Sequence, residues 1–480
     1  MNNQLNKTSF ISFFIISILL GVLSGCITPQ YALRNENKSV PEQYPHYTTD
    51  TLTIAQLSWR TYFADSNLVA LIDTALKNNQ ELNIVLQEIE ISKNEIRARE
   101  GEYLPFVNIG VGAGVDKGAS YTRQGSLDKL LDENGKSLPE LLGDFTVGAN
   151  ASWEVDIWSK LRNAKDASVK RYLASIEGKN FMVTRLIAEI ADAYYELMAL
   201  DNLLGIIEQN IEIQSNALKV VTQQKEFARV TQLAVNRFNA QLLNTRNRQF
   251  EIKQKIVETE NRINTLTGRF PKPIERSSDT FLTMQLDSIQ AGIPAQLLQN
   301  RPDIQRAEYI LAAAKLDVEV AKANFYPSLR LRAGIGFQAF NPMFLINPAS
   351  LLYNLLGDII APLINRNALE AAYNTATLQQ IQAVYAYEQT VLNAYADVLN
   401  QFAKLDNFSK SYDTKNKEVE ILMQSIMIAN NLFNSAKADY SEVLLTQKEA
   451  LEAKTDAVEI KVKQLQGKVS IYRALGGGWR

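Results

Sequence analysis

The sequence predicts an α+β membrane protein in which long coiled-coil helices alternate with pairs of short strands. Three observations lead to this fold class: a tandem repeat, a very long helical stretch with apolar residues at heptad spacing, and segments of alternating polarity typical of membrane strands. The 480 residues carry a formal net charge of −2, which gives no reason to expect nucleic acid as a partner. A mean hydropathy of −0.15 excludes a polytopic helical membrane protein.

The repeat becomes visible when Asn78–Pro105 is aligned with Asn300–Pro327. At an offset of 222 residues the two segments match without a gap, and each is predicted as a helix that ends before its proline. A second match, at an offset of 205 residues, pairs Asp192 with Asp397. The offsets differ because the loop between the predicted strands is longer in the first half. We therefore interpret the chain as one architecture that occurs twice.

A long helical stretch follows the strands in each half. From about Asn163 to Phe227, apolar residues step by alternating threes and fours, which indicates coiled-coil packing. About 65 residues at the α-helical rise would span about 100 Å. A return helix runs to Gly268, and the second half repeats the plan from about Ala368, with a turn near 434–441. The members of the first seam are Ile190, Ala193, Leu197, Leu200, Leu204, Ile207, Ile211, Leu218 and Val221.

Four strands are predicted, two in each half. They lie at about 106–115, 144–157, 328–338 and 351–364. Their alternation fits a membrane β-barrel, although taken alone it fits a soluble hairpin equally well. Four strands cannot close a barrel, and open strand edges are not tolerated in a bilayer. If the strands are membranous, several chains must therefore pool them.

The N-terminus has the pattern of a processed lipoprotein signal. Lys7 precedes a short apolar stretch from Phe10 to Leu23, and the following Ser24-Gly25-Cys26 completes a sequence like a bacterial lipobox. Cys26 is the one cysteine in the sequence, so a disulfide within the chain is impossible. The alternative is an ordinary secretory signal with an incidental cysteine. Because Ile27 rather than aspartate follows, the favoured interpretation is a chain lipidated at Cys26 and placed at the outer membrane.

The predicted organisation follows from these patterns. The segments are a signal peptide over 1–25, a lipidated tether over 26–58, a first repeat over 59–270, a crossover over 271–292 and a second repeat over 293–480.

The sequence resembles the TolC-like outer-membrane efflux proteins, specifically the lipoprotein branch (NodT/OprM-type outer membrane factors) found with resistance–nodulation–division pumps. The resemblance covers the whole mature chain. Its residues are Arg301-Pro302-Asp303, Ala307-Glu308, Ala321, Phe325-Tyr326-Pro327, the opening with Trp59, Phe63, Leu68, Ala75-Leu76 and Asn79, and the lipobox. It implies a homotrimer with a 12-stranded transmembrane β-barrel, four strands per chain, continued by an α-helical barrel through the periplasm. It also implies a periplasmic adaptor (membrane fusion protein), an inner-membrane pump and outer-membrane lipid as partners.

The same resemblance implies where the functional residues lie. The two helix turns would be adaptor-facing tips, and the helix before the second turn would carry the periplasmic gate. The implied tip residues are Ala228, Arg229, Val230 and Thr231, and then Ala436, Lys437, Ala438, Asp439 and Tyr440; the implied gate residues are Met427, Asn430 and Asn431. Family members usually carry glycine at the positions of Ala228 and Ala436, so the alanines predict tips that stay helical further. The alternatives are that the turns are merely polar and that the gate positions only pack.

No enzymatic motif is present. The sequence has no P-loop, nucleotide fingerprint, paired histidine ligands or Gly-x-Ser-x-Gly, so we expect no enzyme, cofactor or metal site. Met423 and Met427 are interpreted as packing residues rather than copper ligands. Asp192 and Asp397 are interpreted as shared structure rather than an acid–base pair. Metal-ion efflux, type I secretion and a non-conducting envelope scaffold remain open as alternatives to drug export.

Overall fold

The computed structural model describes residues 28–45, 53–128, 132–133, 136–137, 141–285, 290–435 and 437–480. The predicted signal peptide and two predicted site residues, Cys26 and Ala436, lie outside the described residues.

Apart from helix α1, the main elements follow the same order in both halves of the chain. The first half contains helix α1 at Ser66–Asn78, α2 at Gln80–Glu102, strands β1 at Phe106–Asp116 and β2 at Leu142–Val155, and helices α3 at Lys160–Glu226 and α4 at Gln232–Leu266. The second half contains α5 at Pro302–Ala323, β3 at Ser328–Ala339, β4 at Leu351–Ile360, α6 at Asn367–Asn434 and α7 at Tyr440–Ala474. Shorter helices lie at Trp59–Tyr62, Arg123–Asp128 and Leu297–Asn300, and a small hairpin pairs Asp132–Glu133 with Lys136–Ser137.

The lengths of the helices agree between the halves. Helix α3 has 67 residues and α6 has 68, whereas the return helices α4 and α7 have 35 each. The strand ends differ slightly from prediction for local reasons. β2 ends at Val155 because the Asp156 carboxylate accepts hydrogen bonds from the Leu161 and Arg162 N–H groups, which caps the entry to α3. β4 ends at Ile360, shortly before Pro362, which has no N–H to donate.

The four main strands form one antiparallel sheet in the order β1-β2-β3-β4. Its register runs across all strands, so that Ile109 lies opposite Ala149, Ala149 opposite Ile335, and Ile335 opposite Tyr353. β1 and β4 are therefore the two edges of this sheet. Within the described residues no helix is apolar and long enough to cross a bilayer.

The chain divides into two compact units, and each draws on both halves of the repeat. The unit with the sheet comprises the described residues up to Asn35, Glu90–Leu173 and Tyr309–Tyr385. Its hydrophobic cluster contains Phe325 and Tyr373, against which Tyr31 packs. The helical unit comprises Glu36–Ile89, Ala174–Glu308 and Ala386–Arg480.

The predicted heptad seam of α3 forms the core of the helical unit. Ile190, Ala193 and Leu197 are fully buried, whereas Leu204 and Ile211 are half-buried. Helix α1 contributes Leu68 and Ile72, which are also fully buried. The heptad spacing explains the burial of the α3 residues, since residues three and four apart share one face of a helix.

One member of the seam is polar. Gln214 occupies the step between Ile211 and Leu218, and it is 1% exposed. Its Nε2 donates to Asn210 Oδ1 at 2.7 Å, whereas its Oε1 has no hydrogen-bond partner in the described part of the chain. A buried amide in a seam of this kind typically selects one register over others.

Residues 28–45 of the predicted tether form neither helix nor strand, and they contact α6. In the sheet unit, the Arg34 N–H donates to Gln380 Oε1 at 3.4 Å, and Gln380 Nε2 donates back to Arg34 O at 2.7 Å. In the helical unit, Tyr44 is 3% exposed and lies 5.8 Å from the Tyr395 ring and 5.5 Å from the Phe402 ring. The segment is thus held by side chains of α6 rather than hanging free.

Candidate functional site

The first helix turn closes with a left-handed alanine. The Ala228 N–H donates to Lys225 O at 3.0 Å, and the Arg229 N–H donates to Gln224 O at 2.9 Å, the bond pair of a Schellman motif. Ala228 has φ 51°, the conformation for which glycine is favoured. The prediction that the tip stays helical further is therefore wrong at Ala228: α3 ends at Glu226, because the Schellman bonds require a left-handed residue there.

The second turn has the same closing bond. The Lys437 N–H donates to Leu432 O at 2.9 Å, as Arg229 does to Gln224. Thr231 and Asp439 stand at the N-caps of the return helices, and neither side chain makes a capping hydrogen bond.

Most tip residues face solvent, and two anchor the turns. Ala228, Arg229, Thr231, Lys437 and Asp439 are exposed, while Ala438 is half-buried. Val230 and Tyr440 instead pack against a buried cluster near the turns, formed by Val221, Ala234 and Phe238. Because this cluster joins side chains of α3 and α4 with Tyr440 of α7, the two turns of one chain lie side by side.

The predicted gate residues lie on one side of α6. Met427 is 62% exposed, Asn431 is exposed, Asn430 is half-buried, and Ala429 is buried. Met423, one turn earlier, is also exposed. The interpretation of Met423 and Met427 as packing residues is therefore wrong for the single chain. Both side chains are exposed on its surface and lie outside the core of the helical unit.

A groove near the turns was not predicted from the sequence. It has a volume of about 610 Å³ and runs between α4 and α7. Its lining includes Arg237, Gln241, Asn244 and Arg248 of α4 and Leu445, Lys448 and Glu452 of α7. Three cations face one carboxylate, so the groove carries a net positive charge. The four α4 residues recur at intervals of four, three and four, a signal that could have identified the face.

The sheet has one apolar face and one polar face. The apolar face includes Ile109, Val111, Tyr353 and Leu355, each between 77% and 82% exposed. On the opposite face, Arg330 pairs with Glu154 at 3.5 Å and Arg332 with Asp358 at 4.0 Å. Such alternation places large apolar groups where a soluble protein would expose polar ones.

Glycine and asparagine rows cross the polar face. Gly110, Gly148 and Gly336 are register partners on three adjacent strands, and the next row holds Asn108, Asn150, Gly334 and Asn354. A side chain at Gly148 would meet Ile335 O at 2.8 Å. Gly148 and Gly336 therefore permit a close approach of β2 and β3, whereas a Cβ at Gly110 would meet no atom within 4 Å.

Two tryptophans at and just after the end of β2 donate to the chain segments that lead from a helix into β1 and β3. Trp153 Nε1 donates to Tyr103 O at 2.8 Å, and Trp158 Nε1 donates to Pro327 O at 2.8 Å. Trp158 also lies 4.8 Å from the Tyr326 ring. Indoles at the end of an apolar band are typical of a membrane–water interface.

The motif that begins at Arg301 lies where the return helix of the second half ends. Arg301 Nη1 donates to the last carbonyl of α7, Ala474 O, at 2.9 Å. The same guanidinium pairs with Asp303 at 2.7 Å and with Asp397 at 3.4 Å. In the first half, Asn79 Nδ2 donates to the last carbonyl of α4, Leu266 O, at 2.9 Å. We call these two arrangements the first and second junctions.

The family described as outer membrane efflux protein matches residues 71–269 and 293–477. The chain belongs to the outer membrane efflux protein family.

Three relatives cover most of the chain. The cation efflux system protein CusC of Escherichia coli is 25% identical over 95% of this chain and 97% of its own length. The pyoverdine export outer membrane protein OpmQ of Pseudomonas putida is 28% identical over 88% of each chain. The probable outer membrane lipoprotein SilC of Salmonella typhimurium is 24% identical over 95% of this chain and 97% of its own length.

Solved structures share the fold. The structure of CusC gives a TM-score of 0.81 at 24% identity and covers 94% of this chain and all of that chain. The open-state structure of the Neisseria gonorrhoeae MtrE outer membrane channel gives a TM-score of 0.82 at 22% identity, covering 95% of this chain and 98% of that chain. The chain thus has the fold of TolC-like outer membrane channels, mostly helical with a small antiparallel sheet, as the sequence predicted.

Proposed function

We propose that the chain is the outer-membrane channel of a tripartite efflux system, a passive export duct for drugs or other small molecules. In this proposal it is a homotrimer without catalytic activity, placed in the outer membrane and extending into the periplasm. An inner-membrane resistance–nodulation–division pump drives export through a periplasmic adaptor. The observation that carries the proposal is the two-faced sheet with two open edges.

The sheet supports a trimer because the four strands of one chain leave an apolar face and two strand edges without partners among its described residues. Its apolar face needs lipid or protein against it, and the edges β1 and β4 hold backbone groups that a bilayer would leave without partners. Pairing β1 of one chain with β4 of the next satisfies both edges. Three chains with four strands each then close a 12-stranded barrel, whose polar face, with Arg330 and Glu154, lines the lumen.

The helix turns support adaptor docking. Arg229, Thr231, Lys437 and Asp439 are exposed, while Val230 and Tyr440 fix the backbone beneath them. The exposed groups therefore stand on a packed hydrophobic cluster. We assign the adaptor to these tips and to the basic groove that begins beside them.

The gate is assigned to Met427, Asn430 and Asn431. Three copies of this segment around an axis would present amide and thioether groups, with no carboxylate among them. A ring without carboxylates attracts cations less than an aspartate ring does. Asp439, exposed at the neighbouring turn, supplies a negative charge at the second tip.

Lipidation of Cys26 completes the proposal. The residues before it match a lipobox, and the relative SilC is named an outer membrane lipoprotein. Intact mass spectrometry should find the mature N-terminus at Cys26 with added acyl mass. Cys26→Ser should remove that mass, and an unmodified N-terminus in the wild type would contradict the assignment.

Metal-ion export is the second candidate, because the relative CusC is named for cation efflux. The two candidate functions can be distinguished in cells that lack their own outer-membrane duct. Complementation with this chain should restore resistance to drugs or dyes under our proposal, and resistance to copper or silver salts under the alternative. A protein substrate recovered in the medium would indicate type I secretion.

The decisive experiment measures the mass of the solubilised protein and its conductance in a bilayer. The full mature protein in detergent should have the mass of a trimer, and in planar bilayers it should give small, flickering conductance. Asn430→Ala or Asp439→Ala should enlarge that conductance if the turns form a closed resting tip. A monomer with no conductance would contradict the duct and leave a lipid-anchored scaffold.

A further inference from the structure

The two junctions have the same backbone geometry but differ by one charge. The Asn79 N–H donates to Ala75 O as the Arg301 N–H does to Leu297 O. Both side chains then bond the last carbonyl of a return helix. Arg301 carries a positive charge into its junction, whereas Asn79 carries none.

The long helices carry aspartates at equivalent repeat positions. On α3, Asp192 lies between Arg185, which pairs with Glu81 of α2, and Glu196, which pairs with Arg262 of α4, so it is level with the first junction. Asp397 of α6 meets Arg301 at 3.4 Å. Its repeat partner Asp192 of α3 forms no ion pair with any described residue, and its Oδ1 is buried without a hydrogen-bond partner in the described part of the chain. A buried carboxylate oxygen that lacks both a cation and a donor is costly as an anion.

Charged and titratable groups surround Asp192 at longer range. They are Glu189 and Tyr195 on α3, Arg262 on α4, Lys404 on α6 and Arg473 on α7. Arg262 is already paired with Glu196 at 3.6 Å. Burial raises the pKa of Asp192 to about 6, against the smaller lowering by Arg473, Lys404 and Arg262, and Glu189 adds to the rise.

We propose that Asp192 is a proton-binding site of the first junction, where a bound proton neutralises the carboxyl that Arg301 neutralises in the second. Protonation gives the carboxyl an O–H that can donate a hydrogen bond. It also removes the uncompensated negative charge of the buried carboxylate. Asp192 also lies at a contact between helices, since Gln466 Nε2 of α7 donates to Asp192 O at 3.4 Å. Loss of the proton therefore weakens the packing of α3 against α7 at the first junction, while the second junction is unaffected.

The direction of the pH dependence follows from linkage. The pKa of Asp192 lies near 6 in the folded junction and has an ordinary value of 3.8, so the folded form holds the proton more tightly. The stabilisation is fully present below the ordinary value and is lost as pH rises through 6. Between pH 5 and pH 7.5, local opening should increase about tenfold.

Hydrogen–deuterium exchange of the full mature protein in detergent tests this directly. After correction for the intrinsic exchange rate, amides in residues 186–200 should exchange about tenfold faster at pH 7.5 than at pH 5. Asp192→Asn should abolish this step. Asp397→Asn, the same substitution at the second junction, should keep the step in residues 186–200. A step that persists in Asp192→Asn would overturn the proposal.

Two further measurements keep the test independent of any one variant. Asn79→Arg, which copies Arg301 into the first junction, should suppress the pH step, although it also removes the cap that Asn79 Oδ1 provides to the Leu82 N–H. In wild-type protein, infrared spectroscopy should show a protonated carboxyl band at pH 5 that disappears by pH 8. Absence of that band would overturn the proposal even if the variants fail to fold. None of these readouts depends on conduction or on an adaptor.

Discussion

Gly268 packs directly against the carbonyl group of Asn78, at the end of α4 in the first junction. Gly268 has φ 66°, and a Cβ atom added there would overlap Asn78 O. The second junction repeats this contact, with Gly476 at φ 93° and its added Cβ 2.6 Å from Asn300 O. Each return helix is thus followed by a glycine that lets the backbone at Asn78 or Asn300 approach closely.

Replacement of Gly268 by alanine should strongly destabilise the protein. The substitution combines a left-handed backbone with a backbone clash, and we expect a loss of about 2–4 kcal/mol in the free energy of unfolding. Gly205→Ala is the matched control, because Gly205 lies within α3 and an added Cβ there meets no atom within 4 Å. That control should stabilise by up to about 1 kcal/mol. Thermal unfolding of both variants measures the difference, and equal melting temperatures would contradict the role of Gly268.

Ala228 should be replaceable by glycine with a gain in stability. Its φ of 51° is strained for alanine, so Ala228→Gly should stabilise the first tip by about 1 kcal/mol. Ala228→Val should have the opposite effect, since a β-branched residue tolerates this conformation poorly. Because Ala228 is exposed, core packing does not confound the comparison. Hydrogen exchange of residues 221–230 measures the local effect, and faster exchange in the glycine variant would contradict it.

Tyr44 should anchor the N-terminal segment through its ring rather than its hydroxyl. The ring packs on Tyr395 and Phe402, whereas the buried hydroxyl has no hydrogen-bond partner among the described residues. Tyr44→Ala should therefore cost about 3–4 kcal/mol, while Tyr44→Phe should be neutral or slightly stabilising. Limited proteolysis at the segment distinguishes them. Equal sensitivity of the two variants would show that the hydroxyl matters as much as the ring.

The groove between α4 and α7 should bind the adaptor through charge. Arg237→Glu with Arg248→Glu reverses two of its three positive charges, and we expect about tenfold weaker adaptor binding at low ionic strength. The difference should shrink at high salt, because exposed charges are screened. Arg246→Glu, exposed on the same helix but outside the groove lining, is the matched control. Surface plasmon resonance with the purified adaptor measures both, and an equal loss in the control would point to net charge alone.

The periodic features of this chain were predictable because they depend on local geometry. Helix α2 ends before Pro105 as predicted, and the matched helix α5 ends before Pro327. The seam through Ile190, Ala193 and Leu197 is buried as predicted, because heptad spacing places those residues on one face whatever the partner. The duplication was also visible, because aligned residues need no coordinates to be compared.

Other features depended on which segments meet, and no local pattern contains that information. Asp192 and Asp397 are equivalent in the sequence, yet among the described residues only Asp397 has a guanidinium within ion-pair distance. The residue that decides this, Arg301, lies 96 positions before Asp397 in the chain. The left-handed Ala228 also escaped prediction, since alanine by itself favours the helix. Sequence alone therefore determined the repeat, the helices, the strands and the family. The tertiary structure decided the charge balance at each junction, the groove and the two faces of the sheet, because these arise from contacts between residues far apart in the chain.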